Sequence, residues 1–186
     1  PPAIDPPAGA MIGHPRILVR QTDLPRLRSW AASTNSVWNA LNKLAKNAKT
    51  DMNNGKLNTD DGEGALNVPV ASESYAELFA FMSLIHPDSN TRADYANRAY
   101  KITMKIINEA VKGVADGQPF RGHAFAIHNR ASWFGESFPL VVDWCYDKFT
   151  AQDKAKIRTV FLRWIQECLR ANTTAQEHPQ PLGVVN

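Results

Sequence analysis

The sequence predicts an all-α chain of antiparallel helical hairpins. Helix-start signals recur along its 186 residues, strand-period alternation is nearly absent, and the connections between apolar-periodic stretches are either short or long. Thr22 or Asp23 is placed to cap a first helix carrying Leu24, Leu27, Trp30 and Ala31, with Pro25 tolerated in its first turn. Asn35 or Ser36 caps a second, whose apolar face is expected to hold Val37, Leu41, Leu44, Ala45 and Ala48. A third begins at Ser72, carries Leu78, Phe79, Phe81, Met82 and Ile85, and stops at Pro87.

Thr91 with Asp94 has the spacing of a capping box. Behind it a long fourth helix runs through Ala96, Ala99, Tyr100, Thr103, Ile106, Ile107 and Ala110 to about Gly113. The fifth, from about Gly135 to Lys148, is apolar on most sides (Phe138, Leu140, Val141, Val142, Trp144, Cys145, Tyr146), the pattern of a buried helix. Thr150 and Asp153 cap a sixth, amphipathic through Ile157, Val160, Phe161, Trp164, Ile165, Cys168 and Leu169, with Lys154, Lys156, Arg158 and Arg163 mostly off that face.

Loop lengths organise these helices. If successive helices alternate in direction, the short connections near Ser33, at Pro87–Asn90 and at Phe149–Thr150 gather at one end. The connections Lys49–Pro69 and Gly113–Phe134, both about 20 residues, then share the other end with the tail from Asn172. Long connections in compact domains carry function more often than short ones. That asymmetry favours part of an incomplete (α/α) toroid over a closed bundle. The expected organisation is a Pro-rich extended leader over 1–13, a toroid segment of about three helix pairs over 14–171, and a tail over 172–186 leading to a remainder of the same protein.

Composition excludes several classes. The net charge of +3, from 21 basic and 18 acidic groups, is too mild for a nucleic-acid surface, and no run approaches the roughly 20 apolar residues of a membrane span. The Pro1-Pro2-Ala3-Ile4 start lacks an initiator Met and reads as trimmed, so a secreted or periplasmic protein with its signal peptide already removed is expected. Antiparallel pairing sets Cys145 and Cys168 about 18–20 Å apart, past the roughly 7 Å limit of a disulfide, so both are expected as buried free thiols.

No site motif of a common cofactor enzyme occurs. The Asp51–Glu63 stretch leaves Thr50 and Met52 where calcium ligands belong and lacks the bidentate Glu, so it reads as a polar loop. His123 and His128 are five apart in a predicted loop, not at the i, i+4 spacing of helix-borne metal ligands. Gly-x-Ser-x-Gly and phosphate-binding glycine loops are absent. No metal and no cofactor is expected. The stretch Arg121–Phe134 instead combines aromatic rings, cations and an amide before the most buried helix. Trp and Phe suit sugar rings, and Arg grips a carboxylate bidentately. Arg121, His123, His128, Asn129, Arg130 and Trp133, with Tyr75 early in the third helix, form the candidate substrate-binding set.

Two passages carry a resemblance. His14-Pro15-Arg16-Ile17-Leu18-Val19, followed by Asp23-Leu24-Pro25-Arg26-Leu27, resembles the opening of heparinase II/III-like polysaccharide lyases. Asp143-Trp144-Cys145-Tyr146-Asp147, followed by the Thr150-capped helix, is similar to a helical hairpin of the same toroids. Together they span His14 to Leu169. The resemblance implies an (α/α) toroid followed by a β-sandwich, acting on uronic-acid polysaccharide by β-elimination. His128-Asn129 reverses the family's Asn-His order, so no catalytic role is carried over and the catalytic residues stay unassigned. The resemblance also implies an acidic polysaccharide and the C-terminal remainder of the same protein as partners. An α/α-toroid glycoside hydrolase, with carboxylates drawn from Asp51, Asp60, Asp61, Glu63 or Glu136, and a non-catalytic helical carbohydrate-binding or scaffold module are the alternatives.

Overall fold

A computed structural model of the chain describes residues 13–33, 35–56, 72–115 and 137–169. Every regular element among the described residues is helical: α1 (Leu24–Ala32), α2 (Ser36–Asn53), α3 (Ser72–Ile85), α4 (Ser89–Ala115), α5 (137–144) and α6 (Ala151–Leu169), with single 3₁₀ turns at Gln21–Asp23 and Tyr146–Lys148. The all-α expectation holds for these residues.

Local chemistry sets the boundaries. Pro25 sits in the first turn of α1, where its missing N–H costs nothing. Asn35 serves two helices at once. Its side-chain oxygen accepts the Trp38 amide at 2.7 Å to cap α2, and its Nδ2 donates to the Trp30 carbonyl at 3.0 Å at the end of α1. α2 ends in a Schellman motif: Gly55, at φ +67°, lets Lys56 N donate to Asp51 O at 2.9 Å and Gly55 N to Met52 O at 3.2 Å.

α3 stops before Pro87, as expected. Two guanidinium groups meet the carbonyls at and just past its end: Arg28 Nε donates to Leu84 O at 2.9 Å, and Arg92 donates to His86 O at 2.7 Å and Pro87 O at 2.9 Å in the turn that follows. Cations at this negative helix end are doubly favourable. α4 begins two residues before Thr91, because Asp88 is its cap and accepts the Thr91 amide at 2.7 Å and hydroxyl at 2.6 Å. Asp94, expected to close a capping box, is bound instead by Lys49 at 2.9 Å and by Arg98 at 3.0 Å. The Thr150–Asp153 box does form: Asp153 Oδ2 accepts the Thr150 amide at 3.0 Å, and Thr150 Oγ1 accepts the Asp153 amide at 3.1 Å.

Among the described residues the α3–α4 pair is central, with α1 and α2 against α3 and α6 against α4. Phe79, Ala80, Met82, Ile85, Ala99, Ile106 and Ile107 are fully buried there. Aromatic rings continue outward from this centre. Tyr75 stacks on Phe79 at 6.3 Å, Phe79 on Tyr95 at 5.5 Å, and Tyr95 meets His86, which meets Trp38 at 5.6 Å, which meets Trp30 at 6.1 Å. α2 therefore buries Trp38, Ala45 and Ala48, while Val37 and Leu44, expected on that face, are exposed.

Ion pairs and polar bonds also define directions. Lys49 reaches Asp94 and Asn53 reaches Arg98, both increasing in number, so α2 runs parallel to the first half of α4. Tyr100 reaches Asp153 at 3.2 Å and Asn108 reaches Lys156 at 2.9 Å, so α6 runs parallel to its second half. The turns joining α1 to α2 and α3 to α4 lie at one end, the short-turn end, and the turn before α6 lies alongside α4 between Arg92 and Tyr100. α2 finishes, and α3 and α5 start, toward the other.

Candidate functional site

The two sequence passages singled out above, 129 residues apart at His14 and Asp143, are in direct contact. Asp143 projects from α5 and is 3% exposed. Its carboxylate receives His14 Nδ1, the Arg16 amide at 2.7 Å and the Ile17 amide at 2.8 Å, with Arg16 Nε at 3.8 Å. One residue on, the Trp144 indole donates to Ile17 O at 2.9 Å. That carbonyl also accepts Val19 N at 2.7 Å, closing a three-residue turn with Leu18 at φ 61°. This left-handed conformation is costly for a non-glycine residue, and the contacts to Asp143 and Trp144 hold it in place. Arg16 to Val19 thus form a strap clasped onto α5.

The His14 ring lies flat on Tyr146, with centroids 3.7 Å apart and an interplanar angle of 15°, and Lys154 Nζ sits 3.7 Å from the centroid of the same Tyr146 ring. His14, Asp143 and Tyr146, with Ser83, Arg92 and Lys148, line a cleft of about 320 Å³ at the short-turn end. Asp143 spends its oxygens on the strap, so its role here is to hold and orient. Cys145, on the wall of the same cleft, is buried with Sγ 3.5 Å from Ser83 Oγ, and burial pushes its thiol up to about 11. Expected as a buried free thiol, Cys145 is one.

The opposite end was expected to carry the binding rim. Arg121, His123, His128, Asn129, Arg130 and Trp133 lie outside the described residues, as does most of the first long connection. Tyr75 is described. It is 5% exposed, its ring is stacked within the core, and its hydroxyl comes 3.5 Å from Asp51 Oδ2. Burial, with the Asp51 charge added, raises its hydroxyl pKa. Close by, Ser137 Oγ donates to Glu77 Oε2 at 2.9 Å. Asp51, Tyr75, Glu77 and Ser137 therefore gather the end of α2 and the starts of α3 and α5 at one level. α4 continues about 22 Å past Tyr100, so the second long connection leaves from well beyond that level.

Beside this polar cluster, Leu41, Ser74, Glu77, Leu78, Phe81 and Trp144 line an open groove of about 510 Å³. Phe81 and Trp144 form its aromatic wall, with ring centroids 5.6 Å apart. Sequence reasoning did not place Glu77 or Trp144 in a groove, because only tertiary packing brings α2, α3 and α5 around it. Among the described residues there is no cluster of three or more metal-ligating side chains, and no helix is long and apolar enough to cross a membrane.

Comparison with known proteins yields no family model, no curated protein and no solved structure that matches the chain.

Proposed function

We propose that this chain is the N-terminal segment of a polysaccharide lyase-like (α/α) toroid that acts on uronic-acid-containing polysaccharide by β-elimination. The observation that carries the reading is the clasp. The two passages that resemble heparinase II/III-like lyases form one bonded unit, in which Asp143 holds the His14–Ile17 backbone and Trp144 holds the Ile17 carbonyl. Independent coincidences of sequence have no reason to meet in space. The parallel alignment of α2, α4 and α6 gives further support, because stacked hairpins of a toroid place alternate helices side by side.

β-Elimination needs neutralisation of the uronate carboxylate, a base for the C5 proton and an acid for the leaving oxygen. In this reading Arg121, His123, His128, Asn129, Arg130 and Trp133 contribute to sugar and carboxylate binding, and the base and acid come from the C-terminal remainder of the protein. Such a polymer places the protein in a secreted or periplasmic setting.

The test is to express the chain joined to its C-terminal remainder and follow the ultraviolet absorbance of the unsaturated uronate on a panel of acidic polysaccharides. Absorbance that rises on at least one polymer supports the proposal. A folded protein that produces none on any of them overturns it.

A further inference from the structure

We infer that the groove between α2, α3 and α5 is a subsite for an uncharged, hydroxylated sugar ring, with Glu77 as the group that selects it; the inference rests on the carbohydrate reading above. Small-molecule sites are mostly apolar concavities of roughly 300–1,000 Å³ with a few placed polar groups, and this groove of about 510 Å³ has that make-up. Phe81, backed by the largely buried Trp144, supplies apolar surface, and Leu41 and Leu78 extend it. The Trp144 indole N–H is already committed to Ile17 O, so the ring offers the groove its apolar surface without an unmet donor.

Glu77 is half-buried and is the one charged residue of the described lining. Ser137 holds its Oε2 at 2.9 Å, which fixes the carboxylate on the groove wall and leaves Oε1 without a partner among the described residues. A carboxylate acceptor above an apolar floor matches a pyranose, whose C–H face packs on aromatic carbon while its hydroxyls donate outward. The described lining contains no cation. A uronate ring in the same place would set a second carboxylate against Glu77, and like charges that close repel. The geometry therefore assigns this subsite to a neutral sugar, so a polymer threading it carries neutral units beside its acidic ones.

The experiment uses the full chain labelled with ¹⁵N and follows the indole N–H resonance of Trp144, assigned through Trp144→Phe. Neutral hexasaccharides of glucose, mannose, galactose and N-acetylglucosamine are titrated alongside an oligoglucuronate hexasaccharide. At least one neutral sugar is expected to shift the Trp144 resonance saturably, and the glucuronate to bind at least tenfold more weakly. Ser74 is exposed, so Ser74→Trp fills the groove mouth without entering the core; it should abolish the shift, and Glu77→Ala should weaken it at least fivefold. No response to any neutral sugar, or a response unchanged in Ser74→Trp, overturns the subsite. Neutral-sugar binding in a protein that forms no unsaturated product would remove the lyase reading and leave the subsite standing.

Discussion

The Asp143 carboxylate accepts the Ile17 amide at 2.8 Å across 126 residues of chain, and this bond fastens the start of the described fold to its fifth helix. Charge-assisted bonds of this kind are worth more than neutral ones, and a buried carboxylate stripped of its partners, or partners stripped of it, is destabilising. Asp143→Ala is expected to lower unfolding stability by about 3 kcal/mol. Trp144→Phe, which leaves Ile17 O with the Val19 amide alone, should cost about 1–2 kcal/mol. Urea unfolding followed by far-ultraviolet circular dichroism checks both. Losses below about 0.5 kcal/mol in both would mean the strap is not clasped.

Stability is expected to fall with acid in two stages. Burial, the largest influence, lowers the His86 pKa below its ordinary 6.5, and Nδ1 accepts the Asp88 amide at 3.1 Å, a role only the neutral ring can fill. Its contribution is complete above pH 6.5 and is lost as pH falls toward the depressed value. Asp88, Asp94 and Asp153 are all held below the ordinary 3.8. At Asp88 the hydrogen bonds from Thr91 lead. At Asp94 and Asp153 burial pushes upward but is outweighed by bonds from Arg98 and Lys49, and from Thr150 and Tyr100. Their contributions are complete above pH 3.8 and vanish as pH falls through the folded values. Urea midpoints between pH 8 and 2 should show both stages, and His86→Gln should erase the upper one alone.

Much of this architecture is legible locally. Asn35, Pro87 and the Thr150–Asp153 pair mark boundaries by chemistry confined to a few residues, and each behaves as its sequence neighbourhood implies. Where two readings compete at the same period, tertiary structure decides. Val37–Leu41–Leu44 and Trp38–Leu41–Ala45 are both helical stripes one residue apart, and Trp38 wins because Trp30 and His86 are there to receive its ring. Thr91–Asp94 loses its capping role because Asp88 caps the helix three residues earlier, which puts Thr91 inside the first turn and leaves Asp94 to Lys49 and Arg98. The His14–Asp143 clasp and the Glu77–Ser137 groove wall join residues 129 and 60 apart, and no periodicity encodes such pairs.

Thr103 carries a fully buried hydroxyl on α4 with no hydrogen-bond partner among the described residues. Replacing an unsatisfied buried polar group by an apolar one of the same shape removes its desolvation penalty. Thr103→Val is therefore expected to stabilise the protein by about 1 kcal/mol. A higher midpoint in thermal unfolding checks this, and a lower one would show that the hydroxyl is bonded.

The Cys145 thiol, pushed up to about 11 from 9.0, should carry roughly a hundredfold less thiolate near neutral pH than an ordinary cysteine. In a Cys168→Ser background, a disulfide reagent at pH 8 should label the native protein at least a hundredfold more slowly than the urea-unfolded one. Comparable rates would place Cys145 at the surface.

The central claim is a chemical one, and mass balance tests it most directly. The chain joined to the C-terminal remainder proposed for it is incubated with the acidic polysaccharide that responds best, and the oligosaccharide products are weighed by mass spectrometry. Elimination adds no water: each cleavage should yield a new non-reducing end that is unsaturated and one water lighter than its saturated counterpart. Products that have gained a water at every break would identify a hydrolase and contradict the lyase account.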